Sequence, residues 1–339
     1  MDNLWHLVDS ILVPHSAFVE GLRRMTQCFD YAKAGAQEPV CLAMIGEART
    51  GKSRCAEVFI RKHMPLRLDD GLHVPVISIV VPSKPTVKNL AELALASLGV
   101  VDWEKGTENA KTKRLQKIMN GCKVHCLVLD EFHHFYDKTS HKVQHYVTDW
   151  LKNLVGETKT TLFVSGLPSL QTVIDQNEQL TGRFLSPIHL PRFDWLDENH
   201  RSEWYAILGA FTEGINNKLD FPELDSDEMA LRMYCATGGL MGYLTKTLRQ
   251  AVWNAADNGS QIISIQDLEV AHKQAIWSHE RFSHLPNPFD RNRSIYASAE
   301  VLAQTKLIGT PLLPESTRRR RKSQTMSKIA SASHILSSR

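Results

Sequence analysis

A phosphate-binding pattern occupies residues 46–53, GEARTGKS. In the spacing Gly-x-x-x-x-Gly-Lys-Ser, glycines let backbone N–H groups close around phosphate oxygens. Lys52 can neutralise the β and γ oxygens of ATP, and the Ser53 hydroxyl can ligate Mg²⁺. The pattern therefore predicts a site for ATP and Mg²⁺. Its predicted nucleotide-binding residues are Gly46, Glu47, Ala48, Arg49, Thr50, Gly51, Lys52, Ser53, Arg54 and, from further along the chain, Asp130.

Two adjacent carboxylates end the apolar run at 124–129. Asp130, at the carboxyl end of a strand, can hold Mg²⁺ through water, so we predict Ser53 and Asp130 as the metal residues. Glu131 can orient and deprotonate the water that attacks the γ-phosphate. The alternative is an acidic dipeptide on the surface.

Two further polar residues fit the same chemistry. Ser165 ends the apolar run TTLFVS, where a hydroxyl could sense the γ-phosphate. Arg183 follows a predicted helix, where it could reach the phosphate of a neighbouring subunit. Taken in isolation, Arg183 would more often be a surface or salt-bridge residue. With Glu131, these residues form the predicted catalytic set.

Other polar residues leave alternatives open. His141 and His145 have the i, i+4 spacing of a helical metal pair, but no third ligand is evident, so solvent-exposed histidines are favoured here and at His133 and His134. His15 lies in a turn that is either close to the adenine or an ordinary turn. A basic rim that either binds duplex DNA or is simply solvated comprises Lys84, Lys88, Lys111, Lys113 and Arg114.

The elements needed to position these residues can be read from the apolar pattern. Strands buried on both faces are expected at residues 41–45, 74–81, 124–130, 160–165 and 186–190. Helices are expected at 16–33, 54–63, 89–98, 111–120 and 169–177. After residue 197 only helices follow, at 198–215, 225–237, 240–257 and 264–277.

This order predicts an α/β fold, with a P-loop domain of five parallel strands flanked by helices and then a small α-helical lid. The expected domains are an N-terminal helical segment at 1–39, the ATPase core at 40–195, the lid at 196–282, and a linker with a basic, disordered tail at 283–339. The tail contains the run RRRRK at 318–322, which could serve as a handle for a protein partner or as a tether to DNA.

Composition fits an ordinary globular protein. The 339 residues are 42% hydrophobic, enough for one large core or two smaller ones, and the formal net charge is +3. The apolar runs are too short to span a membrane, and the first ten residues do not read as a signal peptide, so we expect a cytoplasmic protein with no membrane partner. The six cysteines are expected to be reduced and buried.

Together, these motifs resemble the AAA+ ATPases. More specifically, the chain resembles the TniB/TnsC transposition regulators, including those of CRISPR-associated, RNA-guided transposons. That resemblance covers about residues 10–280 and is carried by GEARTGKS, LVLDEFHHF, FVSGLPSLQTVIDQNEQLTGRF and CATGGLMGYL.

The resemblance implies an ATP-switched homo-oligomer, a ring or a filament, assembled around double-stranded DNA without sequence preference. It would link the transposase to a target-selection complex through a TniQ-type adaptor. In the family pattern, Ser165 is sensor 1 and Arg183 is the arginine finger. Many AAA+ relatives carry an arginine near the start of the third lid helix, whereas residues 239–242 here are GLMG. Lys246 or Arg249 could substitute.

Two other functions share these motifs. One is a signalling or chaperone-like ATPase that acts on a protein without DNA. The other is a helicase loader or replication initiator, disfavoured because no segment reads as a winged helix. The sequence shows no DDE-type nuclease or transposase constellation, so a partner would cut and join DNA.

Overall fold

The computed structural model describes residues 4–135, 141–175, 181–276 and 287–310, which form a parallel sheet flanked by helices and a helical lid. The main sheet contains β1 (Cys41–Ile45), β4 (Val76–Val80), β5 (Cys126–Asp130), β6 (Thr161–Gly166) and β7 (Ile188–His189). Its order is β4-β5-β6-β1-β7 and every pairing is parallel. The predicted five-stranded α/β fold is confirmed. Sequence analysis missed a small antiparallel hairpin, β2 (Leu66–Leu68) and β3 (Gly71–His73).

Twelve helices are described: α1 (Leu7–Ser10), α2 (Ser16–Lys33), α3 (Lys52–Arg61), α4 (Val87–Ser97), α5 (Glu108–Gly121), α6 (His141–Thr158), α7 (Leu170–Asp175), α8 (Glu198–Asn216), α9 (Asp227–Thr237), α10 (Met241–Asn258), α11 (Ile265–Ala275) and α12 (Ala299–Thr305). None of the described helices is both long and apolar enough to cross a membrane.

Helices cover both faces of the sheet. Successive side chains of a strand point to opposite faces, so each strand contributes to two apolar clusters. In β1, Cys41, Ala43 and Ile45 join one apolar cluster, with side chains from α4, α5, α6 and α7. Leu42 and Met44 join the opposite cluster, with side chains from α2 and α3. All five residues are at most 4% exposed, which explains the unbroken apolar run in the sequence.

The lid, α8 to α11, has its own apolar core, to which the N-terminal α1 contributes Leu7 and Val8. Its last helix begins with a capping box, in which the Ser264 and Asp267 side chains satisfy each other's backbone N–H groups. The second lid helix, α9, begins at Asp227, two residues later than the predicted start at 225, and Ser226 is its N-cap residue.

Residues 295–310 differ from the disordered tail expected there. They include α12, whose Leu302 is buried in the lid core, and Ile308 beyond it is also buried. Arg232 on α9 fixes the preceding stretch by donating hydrogen bonds to the carbonyls of Asp290 (3.1 Å) and Arg293 (2.8 Å). A seven-residue helix has too few turns to show a periodic apolar stripe, so sequence reading missed it. The basic run at 318–322 lies outside the described residues.

Candidate functional site

The predicted phosphate loop connects β1 to α3. A Cβ atom on Gly46 would lie 2.5 Å from the Leu190 carbonyl oxygen and 2.7 Å from the Thr50 hydroxyl, so only glycine fits this close approach. Gly51 has φ +101° immediately before α3, in the left-handed region that favours glycine. The two glycines of the motif are therefore required by packing and by backbone conformation respectively.

Lys52 lies inside this loop. Its Nζ donates hydrogen bonds to the carbonyls of Gly46 (2.9 Å) and Glu47 (2.7 Å), and the residue is 7% exposed. Burial lowers the pKa of Lys52, whereas the nearby carboxylates of Glu131 and Asp130 act to raise it. An amine held among the loop carbonyls is well placed to bind phosphate oxygens. Arg54 was also predicted to bind nucleotide, but its guanidinium donates a hydrogen bond to the Asp9 carbonyl (2.8 Å), outside the loop.

Asp130, at the carboxyl end of β5, accepts hydrogen bonds from three other predicted site residues. Its Oδ2 accepts a hydrogen bond from Ser53 (2.7 Å), and its Oδ1 accepts from the Ser165 hydroxyl and from the Glu131 backbone N–H (2.9 Å). Adjacent ligands of octahedral Mg²⁺ are about 2.9 Å apart, given Mg–O bonds of about 2.0–2.1 Å. The Ser53 and Asp130 oxygens fit that spacing and are the hard donors that Mg²⁺ prefers.

Glu131 occupies a constrained turn directly after β5. Its φ of +58° is uncommon for a residue with a side chain, and its carboxylate remains 41% exposed. Oε2 lies 3.3 Å from Nδ1 of His133. His133 is 5% exposed, so the expectation of a solvent-exposed histidine was wrong there. It is buried because the turn folds back over the ends of the neighbouring strands.

Glu131, His133 and His134 have ligand atoms within 4.8 Å of one another. His134 also uses Nδ1 to contact the Val81 carbonyl oxygen at 3.0 Å. The other candidate metal pair, His141 and His145, stays a prediction, since the His141 side chain lies outside the described residues.

Arg183 lies at the end of the sheet opposite the phosphate loop. Its carbonyl accepts a hydrogen bond from the N–H of Cys41, the first residue of β1, whereas the loop follows the last. Its guanidinium is partly buried and donates to the Lys152 carbonyl at 3.0 Å. Arg183 therefore does not belong to the phosphate site of its own subunit. Gln179 and Leu180 of the same motif lie outside the described residues.

Only some residues of the predicted basic rim are exposed on the surface. Lys84, Lys88 and Lys113 are exposed. Lys111 is fully buried and forms an ion pair with Glu92, which corrects its assignment to the DNA-binding face. The reason is its register: Lys111 continues the buried stripe of α5 at four-residue spacing, ahead of residues 115 and 119.

Arg114 is also committed to a local contact. Its Nη2 donates to the carbonyls of Asp102 (3.1 Å) and Trp103 (3.2 Å) in the loop before α5. Part of its donor capacity is therefore used within the chain, and its contact with DNA remains a prediction.

Sequence analysis missed Arg192, which follows β7. Its guanidinium donates to Glu47 Oε2 at 3.0 and 2.6 Å and to the Gly238 carbonyl at 3.0 Å. One side chain thus joins the phosphate loop to the lid, at the turn between α9 and α10. It lines a cavity of about 330 Å³ together with Phe193, Asp194 and other residues. The sequence signal that could have indicated this role is the position of Arg192 just after a predicted strand, because the carboxyl ends of parallel strands lie beside the phosphate loop.

The lid also touches the phosphate loop directly. The N–H of Gly242 donates to the Arg49 carbonyl at 2.8 Å, and the Arg49 guanidinium carbon lies 4.7 Å from the Tyr243 ring centroid. Arg249, a predicted substitute for the lid arginine, is bonded to Asp9 instead.

His15 is 7% exposed, and its ring packs against Phe193 at 5.3 Å and Phe18 at 6.0 Å. Burial lowers the pKa of His15, and its Nδ1 is buried without a hydrogen-bond partner. The ring lies against Phe193, which lines the cavity next to the phosphate loop, so the contact of this turn with the adenine stays a prediction.

The strand order, the phosphate loop, the acid pair after β5, the serine on β6 and the helical lid define an ATPase fold of the AAA+ class. A family model described as "Bacterial TniB protein" matches residues 6–195, more than half of the chain. The chain therefore belongs to the TniB family, as the motifs predicted. A comparison with curated protein sequences found no significant match.

Solved structures share the fold at low sequence identity. The Aeropyrum pernix ORC2 protein in its ADPNP–ADP complexes has a TM-score of 0.57 at 14% identity, covering 81% of this chain and 74% of that one. Cdc6p from Pyrobaculum aerophilum gives 0.58 at 13%, covering 88% and 84%. The Aeropyrum pernix ORC1 protein in complex with DNA gives 0.57 at 16%, covering 96% and 86%. These similarities confirm the AAA+ fold.

Proposed function

We propose that this protein is an ATP-dependent, DNA-binding, oligomeric regulator of DNA transposition. The observation that carries the proposal is the hydrogen-bonded set Ser53–Asp130–Ser165 beside Lys52, in a chain of the TniB family. In this proposal, the phosphate-binding, metal-binding and γ-phosphate-sensing groups lie together at one end of the sheet. ATP hydrolysis would reset the regulator, while a partner performs DNA cutting and joining.

In this proposal Lys52 binds the β/γ-phosphate oxygens, and Ser53 with Asp130 holds Mg²⁺, which neutralises charge on the phosphates. Ser165 orients Asp130 through its hydroxyl. Glu131 accepts a proton from the attacking water. The turn that contains His15 lies close to the nucleotide base.

Nucleotide binding and turnover test these roles separately. Lys52→Ala should abolish ATP binding in a fluorescent-nucleotide titration, because it removes the charge held in the loop. Glu131→Gln should retain binding and stop phosphate release, since an amide cannot accept the proton. Unchanged affinity of the lysine variant, or normal turnover of the glutamine variant, would remove the corresponding assignment.

The proposed DNA contact uses the exposed Lys84, Lys88 and Lys113, with Arg114 retained as a weaker candidate. Such residues bind phosphates without reading bases, so affinity should fall evenly across sequences when they are replaced. In the assembled state, a ring or a filament would present these side chains to duplex DNA. By family membership, the proposed partners are a transposase and a TniQ-type target-selection adaptor, including RNA-guided forms.

The deciding experiment is electron microscopy of the purified protein with a non-hydrolysable ATP analogue, with and without duplex DNA. Rings or filaments that form around DNA are expected. Assembly that is indifferent to DNA would favour the signalling or chaperone-like alternative. Loading of a helicase, with no effect on transposition, would favour the initiator-type alternative.

A further inference from the structure

We propose that His133 is a positioning residue, which holds the Glu131 carboxylate where it can accept a proton from water. The inference rests on the proposed ATPase function and adds to it a residue that is neither in the phosphate loop nor in the acid pair. Its starting observation is the 3.3 Å contact between His133 Nδ1 and Glu131 Oε2. A carboxylate in water would otherwise sample several rotamers.

Glu131 needs such support because its side chain is partly in water. The side chain is 41% exposed, in the turn directly after β5. The backbone is better fixed: the Glu131 N–H is bonded to Asp130 Oδ1, and φ is +58°. The main chain therefore sets where the side chain begins, while the imidazole limits where the carboxylate can go.

Three adjacent strand ends fix the histidine. A Cβ on Gly166, at the end of β6, would lie 3.1 Å from the His133 backbone nitrogen and 3.4 Å from its Cβ, so β6 packs closely against the turn. The His133 ring lies 4.6 Å from the His134 ring, and His134 contacts the Val81 carbonyl just after β4. With β5 supplying the turn itself, three strand ends hold the imidazole next to the partly exposed carboxylate.

A conservative substitution separates positioning from folding. The side-chain amide nitrogen of asparagine can occupy nearly the place of Nδ1 in histidine, whereas alanine and leucine offer no polar atom there. His133→Ala and His133→Leu should lower kcat for ATP at least tenfold with the Kd for ATP changed less than twofold. His133→Asn should recover at least a third of the wild-type kcat. The matched control is His145→Ala on the exposed surface of α6, which should change neither value.

A double-mutant cycle supplies the second readout. If His133 acts only through Glu131, His133→Ala added to Glu131→Gln should lower the residual rate no further. Normal kcat in folded His133→Ala, or equal loss in the alanine and asparagine variants, would overturn the inference while leaving the ATPase proposal intact. If the wild-type protein hydrolyses no ATP, or if Glu131→Gln is fully active, the proposed function itself fails.

Discussion

Replacing Lys111 should destabilise the protein without directly removing a DNA contact. Lys111 is fully buried, and its ammonium forms an ion pair with Glu92, whose side chain is 20% exposed; it also donates to the Glu104 carbonyl at 2.5 Å. Methionine fills the space of the aliphatic stem, so Lys111→Met mainly removes the charge. Glu92 and the Glu104 carbonyl then lose their partner.

The expected size follows from that burial. Removing one partner of a buried ion pair costs about 3–5 kcal/mol, and the partial exposure of Glu92 places this case near the lower value. At 2–4 °C per kcal/mol for a domain of this size, the melting temperature should fall by roughly 6–12 °C. Replacing both partners, Lys111→Met with Glu92→Met, should recover most of this loss, because no charge is then left unpaired.

Lys113 provides the matched control, since it lies on the same helix and is exposed. Lys113→Met should leave the melting temperature within about 1 °C and lower the slope of log K against log salt for duplex DNA by about one unit. Thermal unfolding and a salt series of DNA titrations measure the two effects. A Lys111→Met protein that melts normally but has a lower salt slope would refute the buried-pair reasoning.

Three other predictions concern the nucleotide site and the subunit interface. Arg192→Ala should lower the free energy of unfolding by roughly 1–2 kcal/mol, because a hydrogen bond and a half-exposed ion pair are lost; denaturant titration measures this, and no change would show that the bridge is not stabilising. Gly46→Ala should prevent ATP binding in a fluorescent-nucleotide titration, because its methyl group meets the Leu190 carbonyl at 2.5 Å; wild-type affinity would contradict that close packing. Mixing Arg183→Ala with Glu131→Gln protein should restore some ATPase activity, since each supplies the group the other lacks, and no recovery at any mixing ratio would count against action between subunits.

Much of the fold could be predicted because its signals are local. The strand Cys41–Ile45 and the helix Ser16–Lys33 have the predicted bounds. The Ser53 hydroxyl, at the start of a helix, donates a hydrogen bond to the Asp130 carboxylate, at the end of a strand, as those positions predict. In a parallel sheet, the carboxyl ends of the strands share one edge, so polar residues that follow apolar runs come together there.

The remaining features depend on contacts between distant parts of the chain. The burial of Lys111 is the exception, because its four-residue spacing from buried Leu115 on α5 is visible in the sequence. The burial of His133 depends on Gly166 and Val81 from two other strands. The role of Arg192 depends on a carboxylate in the phosphate loop, far away in sequence. A single sequence gives no periodic signal for such contacts.

These distant contacts provide a route by which we expect nucleotide to act on a lid that lacks the usual arginine. The lid meets the phosphate loop through the Gly242 N–H and the Tyr243 ring, both acting on Arg49, whose φ is +70°. A Cβ on Gly242 would approach the Arg49 Cβ to 2.8 Å, so there is no space between the helix start and the loop. The backbone of Gly242 packs directly against Arg49. A movement of the phosphate loop on phosphate binding would therefore either displace the lid or be opposed by it. Arg192 adds a charged link between the same two parts, so we expect nucleotide state to reach the lid without a lid side chain touching phosphate.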